Sequence, residues 1–101
     1  MLYDHLYSVM PSPVVALNRA IAITETEGAE VGLVALDVLA PELDNYYPLH
    51  AARAAALRRL GRPAAARHAY ERASELATSN ADRDYFFSQL HELPDDGGNG
   101  P

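Results

Sequence analysis

An all-α fold, an α-solenoid fragment of antiparallel helical hairpins with about five helices, is predicted by three observations on this sequence. Eighteen of its 101 residues are alanine, while phenylalanine contributes two and tryptophan none. That composition favours closely packed helices over sheets of bulky β-branched residues. Proline and glycine punctuate the chain at helix-length intervals. Small and large apolar residues also recur at a spacing of 34 residues, the mark of a repeated supersecondary unit.

Each element has its own start and stop signals. Ser12-Pro13 offers an N-cap followed by proline at the first helical position, where a missing N–H costs nothing, and the helix so begun runs over 13–26 until Gly28. A second covers 29–40 and stops at Pro41. After the loop 42–47, Pro48 opens a third, alanine-rich helix that reaches Leu60 and ends at Gly61. Pro63 begins a fourth, which runs to about residue 77 and is terminated by Thr78-Ser79-Asn80. The fifth spans 81–93, with Asn80 as its expected cap and Asp82 and Asp84 near the positive end of the helix dipole. Helices this short are not stable alone, and joints of two to seven residues favour antiparallel neighbours.

Shifting the chain by 34 residues aligns Arg19 with Arg53, Ala20 with Ala54, Ile23 with Leu57, Gly32 with Ala66, Leu36 with Tyr70, Asp37 with Glu71 and Leu39 with Ala73. The small residues fall where helix backbones must cross closely, with a larger apolar residue one turn on to fill the groove. Residues 11–41 and 46–79 are thus two repeats. Leu2 and His5 fall on the second-helix positions, so 1–9 read as the second helix of a preceding, truncated repeat, and the chain is expected to be the end of a longer protein. Residues 80–93 are a first-type helix with a charged face, suited to a terminal cap, and 94–101 are a disordered tail.

The stretch from His50 to Ala77, with Ala54, Leu57, Gly61, Ala66, Tyr70 and Ala73 at successive spacings of 3, 4, 5, 4 and 3, resembles a tetratricopeptide (TPR) repeat, without its usual early aromatic and closing proline. A more particular resemblance covers nearly the whole chain. Leu2-Tyr3-Asp4, the run Pro11-Ser12-Pro13-Val14-Val15-Ala16-Leu17-Asn18-Arg19-Ala20, His50-Ala51-Ala52-Arg53-Ala54, Leu57-Arg58-Arg59-Leu60-Gly61-Arg62 and Ala69-Tyr70-Glu71-Arg72-Ala73 resemble the TPR-like C-terminal extension of bacterial extracytoplasmic-function RNA polymerase sigma factors, of the sigma-70 family. The resemblance implies a regulatory domain that modulates transcription initiation. Its partners would be sigma domains of the same chain, core RNA polymerase or a regulatory protein, with promoter DNA reached only through sigma domains this sequence lacks. A free-standing TPR adaptor and a small ligand-binding helical domain are the alternatives.

Composition narrows the chemistry. There is no cysteine, so disulfides, thiol nucleophiles and Cys-type zinc sites are excluded. No apolar run is long enough to cross a bilayer and no signal peptide opens the chain, so no membrane partner and a cytoplasmic location are expected. The four histidines lie in different helices without metal spacing, and no phosphate loop or nucleophile elbow is present. Neither catalysis nor a cofactor is expected.

Charge is unevenly distributed. Residues 1–50 carry seven acids and one base, residues 51–83 three acids and seven arginines, and residues 84–101 four acids and no base. With an acidic remainder and no aromatics beside the arginines, direct nucleic-acid binding is not expected.

The concave surface formed by first-type helices is predicted to expose Val14, Leu17 and Ile21, then Ala51, Ala55, Arg58 and Arg59, then Tyr85 and Gln89. An apolar strip merging into arginines suits an extended or helical peptide bearing acids; alternatively Leu17 and Ile21 pack on an earlier repeat. Arg19 and Arg53, beside the crossing residues, are expected to be partly buried and to form ion pairs with Asp37 and Glu71 on the opposing helices. The other reading leaves an arginine available to a partner's acid. Tyr46 and Tyr47 are expected to anchor the loop. An isolated fragment with an orphaned helix is expected to be able to form a homodimer.

Overall fold

The computed structural model describes residues 12–94. They form five helices and no strand: α1 Pro13–Glu27, α2 Ala29–Leu39, α3 Tyr47–Arg59, α4 Pro63–Leu76 and α5 Asn80–Glu92. The expected second helix over 1–9, and all but the first residue of the expected tail over 94–101, lie outside the described residues. α1 pairs with α2 and α3 with α4 as hairpins; α3 also packs on α2, and α5 on α4. The chain therefore stacks in order rather than closing on itself.

Local chemistry accounts for the helix ends. Ser12 Oγ accepts from the Val15 amide at 3.4 Å, and Pro13 takes the position where no amide is needed. The α3–α4 turn is a Schellman motif: the Arg62 amide donates to Leu57 O at 3.0 Å and the Gly61 amide to Arg58 O at 3.1 Å. It requires the left-handed backbone that Gly61 adopts at φ 72°. At α5 the cap is Ser79, not the expected Asn80, because Ser79 Oγ is the acceptor for the Asp82 amide at 3.1 Å.

The core is continuous through both hairpins. Leu17, Ala20, Leu36, Leu49, Ala54, Leu57, Ala66, Tyr70, Ala73 and Phe86 are all buried, and the small positions found by the 34-residue offset are the crossings. One of these crossings is at Gly32. A methyl group placed there would lie 2.8 Å from the Cα of Thr24 on α1, so the α1 and α2 backbones meet with no room for a side chain. Thr24 is buried beside it, its hydroxyl donating to Ala20 O at 3.0 Å, which satisfies the polar atom within its own helix.

The inter-hairpin joint is held by polar contacts. His50, also buried, donates its Nε2–H to Asp44 O at 2.7 Å. Arg72 on α4 donates to Asn45 Oδ1 at 3.1 Å and to both the carbonyl and a carboxylate oxygen of Asp44 at 3.4 Å. Among the described residues no buried side-chain nitrogen or oxygen lacks a partner.

The ion pairing differs from the sequence expectation. Arg53 Nε donates to Asp37 Oδ1 at 2.8 Å, joining α3 to the second helix of the preceding hairpin instead of to Glu71 on its own. Glu71 lies 3.9 Å from His68 one turn earlier on α4. The arginine thus bridges repeats, because its helix face turns back toward α2. Arg19 is exposed, not partly buried, and the carboxylate expected to pair with it, Asp37, is taken by Arg53.

Gly32→Ala tests the crossing. Alanine gains roughly 1 kcal/mol of helix propensity over glycine, yet the clash is with backbone that no rotamer change relieves, and overpacking costs about 1–3 kcal/mol. Urea unfolding is expected to show net destabilisation. A more stable variant would contradict the close approach.

Candidate functional site

α1, α3 and α5 lie side by side and enclose a groove of about 400 Å³. Its floor is the alanine face of α3, where Ala51, Ala52, Ala55 and Ala56 recur at helical spacing. One wall is Ile21 and Thr24 from α1, and the other is Tyr85 and Phe86 from α5. The floor is low because alanine carries one methyl; larger residues at those positions would fill the space with their own side chains.

Polar contacts mark the two ends. At one, Tyr47 and Pro48 begin α3, and the Tyr47 hydroxyl donates to Asp82 Oδ2 at 2.7 Å. That bond to a carboxylate, reinforced by desolvation, raises the Tyr47 phenol above its ordinary value. At the other, Arg59 pairs with Glu25 at 3.5 Å. In the α5 wall, buried Phe86 gathers three tyrosine rings: Tyr85 edge-on at 5.5 Å, Tyr47 edge-on at 5.9 Å and Tyr70 tilted at 6.4 Å. Edge-to-face contacts of this kind add about 0.5–1.5 kcal/mol each beyond burial. Burial pushes the Tyr70 phenol up, with Arg58 opposing.

The groove gathers Ile21, Ala51, Ala55, Arg59 and Tyr85 from the predicted surface and leaves out the rest. Leu17 is only 1% exposed and belongs to the core. It stands one repeat before Ala51, but a leucine side chain gains about 1.5–3 kcal/mol from full burial, and here it is covered. Val14 is exposed at the start of α1 but does not line the groove. Arg58 and Gln89 are hydrogen-bonded to each other beside it, and Arg58 also reaches Glu92 at 3.2 Å. Glu92 and then Tyr70 hold the Arg58 guanidinium above its ordinary value. The expected basic extension is thus a set of pairs, each arginine matched to a carboxylate. Tyr47 packs on α5 as an anchor and also lines the groove; Tyr46 is exposed.

Sequence reasoning missed Phe86, the Tyr47–Asp82 bond and the Arg72 clamp. A signal for three contacts was nevertheless present. Glu25 and Arg59, like Arg58 and Glu92, are separated by 34 residues, and Tyr47 and Asp82 by 35. Equivalent faces of successive first-type helices meet at one repeat length, so the period itself marks cross-groove partners.

No protein-family model matches the chain, and no solved structure matches it. The chain is 41% identical over 93 residues to an uncharacterized protein of Rhizobium meliloti (strain 1021), a match that covers 92% of this chain and 22% of that protein. It therefore spans about a fifth of that relative's length.

The Tyr47–Asp82 bond makes a pH prediction. Because the folded phenol sits above the unfolded value near 10, its contribution is fully present below about pH 10 and is lost as pH rises through the folded value. Tyr47→Phe is expected to lose less stability than the parent as pH rises above about 10. Thermal melts across that range check it, and superimposable alkaline limbs would contradict it.

Proposed function

We propose that this chain is a TPR-like regulatory domain, the C-terminal extension of a bacterial extracytoplasmic-function sigma factor, acting without catalysis of its own by holding a peptide segment in the α1–α3–α5 groove. The observation that carries the reading is the groove: a floor of small residues between aromatic and aliphatic walls, built on first-type helices stacked at one repeat length. An alanine floor admits a peptide backbone closely, and the apolar walls take alternate side chains. The polar pairs at the ends, Tyr47 with Asp82 and Arg59 with Glu25, offer hydrogen-bonding groups to main chain entering and leaving. Most of the contact surface is apolar, so affinity comes from buried area more than from charge.

The link to sigma factors rests on the order and spacing of the resembling segments, above all the run at positions 11–20. A relative several times longer than the matched region is consistent with a domain that works as one part of a larger protein. In that setting the segment held is part of the sigma domains of the same chain, of core RNA polymerase or of a regulatory protein, and the compartment is the cytoplasm.

Two measurements test this. Reading the coding sequence before Met1 is expected to reveal sigma regions 2 and 4, and their absence would overturn the sigma assignment. Titrating those domains, expressed separately, with this chain is expected to show saturable binding that Ala55→Trp weakens at least roughly tenfold by filling the groove. Ala55 is exposed, so the melting temperature should hold. Undiminished binding by the folded variant would remove the groove as the site.

A further inference from the structure

α2 lines no part of the groove, yet its outward face is exposed and apolar. Val31, Val34 and Val38 stand at successive helical turns and are 48%, 63% and 72% exposed. Folding does not call for them. The same three positions on the second hairpin are Ala65, His68 and Arg72, so the repeat packs equally well with small or polar residues there. Helix propensity does not call for them either, since β-branched residues at exposed helix positions are poorer helix formers than alanine. Three exposed valines at one-turn spacing are therefore left for contact with something else.

The charges around the stripe indicate what that is. Glu30 stands one turn before Val34, Glu27 lies in the approach to α2 and Glu42 in the turn after it. All three are exposed and make no ion pair among the described residues. Asp37, beside the stripe, is matched to Arg53. From residue 12 to residue 46 the chain carries six acids and a single base, Arg19, whose side chain lines the shallow hollow that Val38 borders. A stripe of valines bordered by unmatched carboxylates is complementary to an apolar stripe bordered by cations.

We propose that the outward face of α2 binds a basic amphipathic helix of a separate protein, its apolar side on Val31, Val34 and Val38 and its lysines or arginines beside Glu27, Glu30 and Glu42. A second copy of the chain fits poorly. Pairing α2 with α2 brings acids at both ends against acids, and like charges at close range oppose association. The α4 of a second copy would supply cations at Arg67 and Arg72, but its exposed small residues, Ala64 and Ala65, give the valines little to pack against. The surface is separate from the groove and does not depend on what the groove holds.

The test uses a labelled synthetic helix of about four turns, with leucine at i, i+3, i+4 and i+7 spacing and lysine on the flanks, and a partner peptide in which glutamate replaces lysine. The chain is expected to bind the lysine peptide saturably and the glutamate peptide at least roughly tenfold more weakly, with the difference between the two narrowing at high salt. Val34→Asp with Val38→Asp is expected to weaken lysine-peptide binding at least roughly tenfold; Val34→Ser with Val38→Ser serves if the aspartates disturb folding. Glu27→Lys with Glu30→Lys is expected to reverse the preference between the two peptides. Absence of binding, or binding that the valine variants leave unchanged, would overturn the proposal. So would concentration-dependent dimerisation of the chain that Val34→Asp abolishes, because the occupant would then be a second copy.

Discussion

Everything in this structure depends on helix backbones crossing at residues too small to hold them apart. At Gly32 the α1 and α2 backbones approach so closely that even a methyl group meets Thr24 Cα, and Ala54 and Ala66 are fully buried at the equivalent place in the second hairpin. Close approach lets short helices of eleven to fifteen residues bury enough surface to persist. It also fixes their rotation, since ridges of larger residues such as Leu36, Leu57 and Tyr70 then have only one set of grooves to enter. Once the rotation is fixed, so is the face each helix shows to its neighbours and to solvent.

The groove is a consequence of that rotation. With Ala54 and Leu57 turned inward on α3, Ala51 and Ala55 point between α1 and α5, and the contacts that tie those helices together occur one repeat length apart, Glu25 to Arg59 and Arg58 to Glu92. Arginine on this surface is consumed in pairing, which turns a strip that reads as basic in the sequence into an apolar trough with polar ends. The Arg53–Asp37 pair and the Arg72 clamp on the 44–45 loop act at the other seam, between hairpins. Surface pairs of this kind add little stability individually. Here they set the angle at which one hairpin meets the next.

Much of the fold was legible because it is written in short-range signals. Ser12-Pro13 marks the start of α1, Gly61 the turn into α4, and the 34-residue period the small residues at the crossings. The site was legible in part. Ile21, Ala51, Ala55, Arg59 and Tyr85 follow from the repeat register, but burial does not obey register alone: Leu17 is sealed in the core one repeat before an alanine that lines the groove. The partners of Arg53 and Arg58 were not legible, since periodicity says which face a residue takes and not which of two neighbouring helices its side chain reaches. Phe86 carried no signal at all, because its three tyrosine neighbours come from three different helices.

One period divides α3 into a face that makes the fold and a face that makes the groove, and two adjacent alanines report on it directly. Ala54 is fully buried at the crossing and Ala55 is exposed in the trough. Equilibrium unfolding in urea should show Ala54→Leu losing about 1–3 kcal/mol to overpacking, and Ala55→Leu staying within about 0.5 kcal/mol of the parent. Equal losses, or a greater loss at Ala55, would contradict the account.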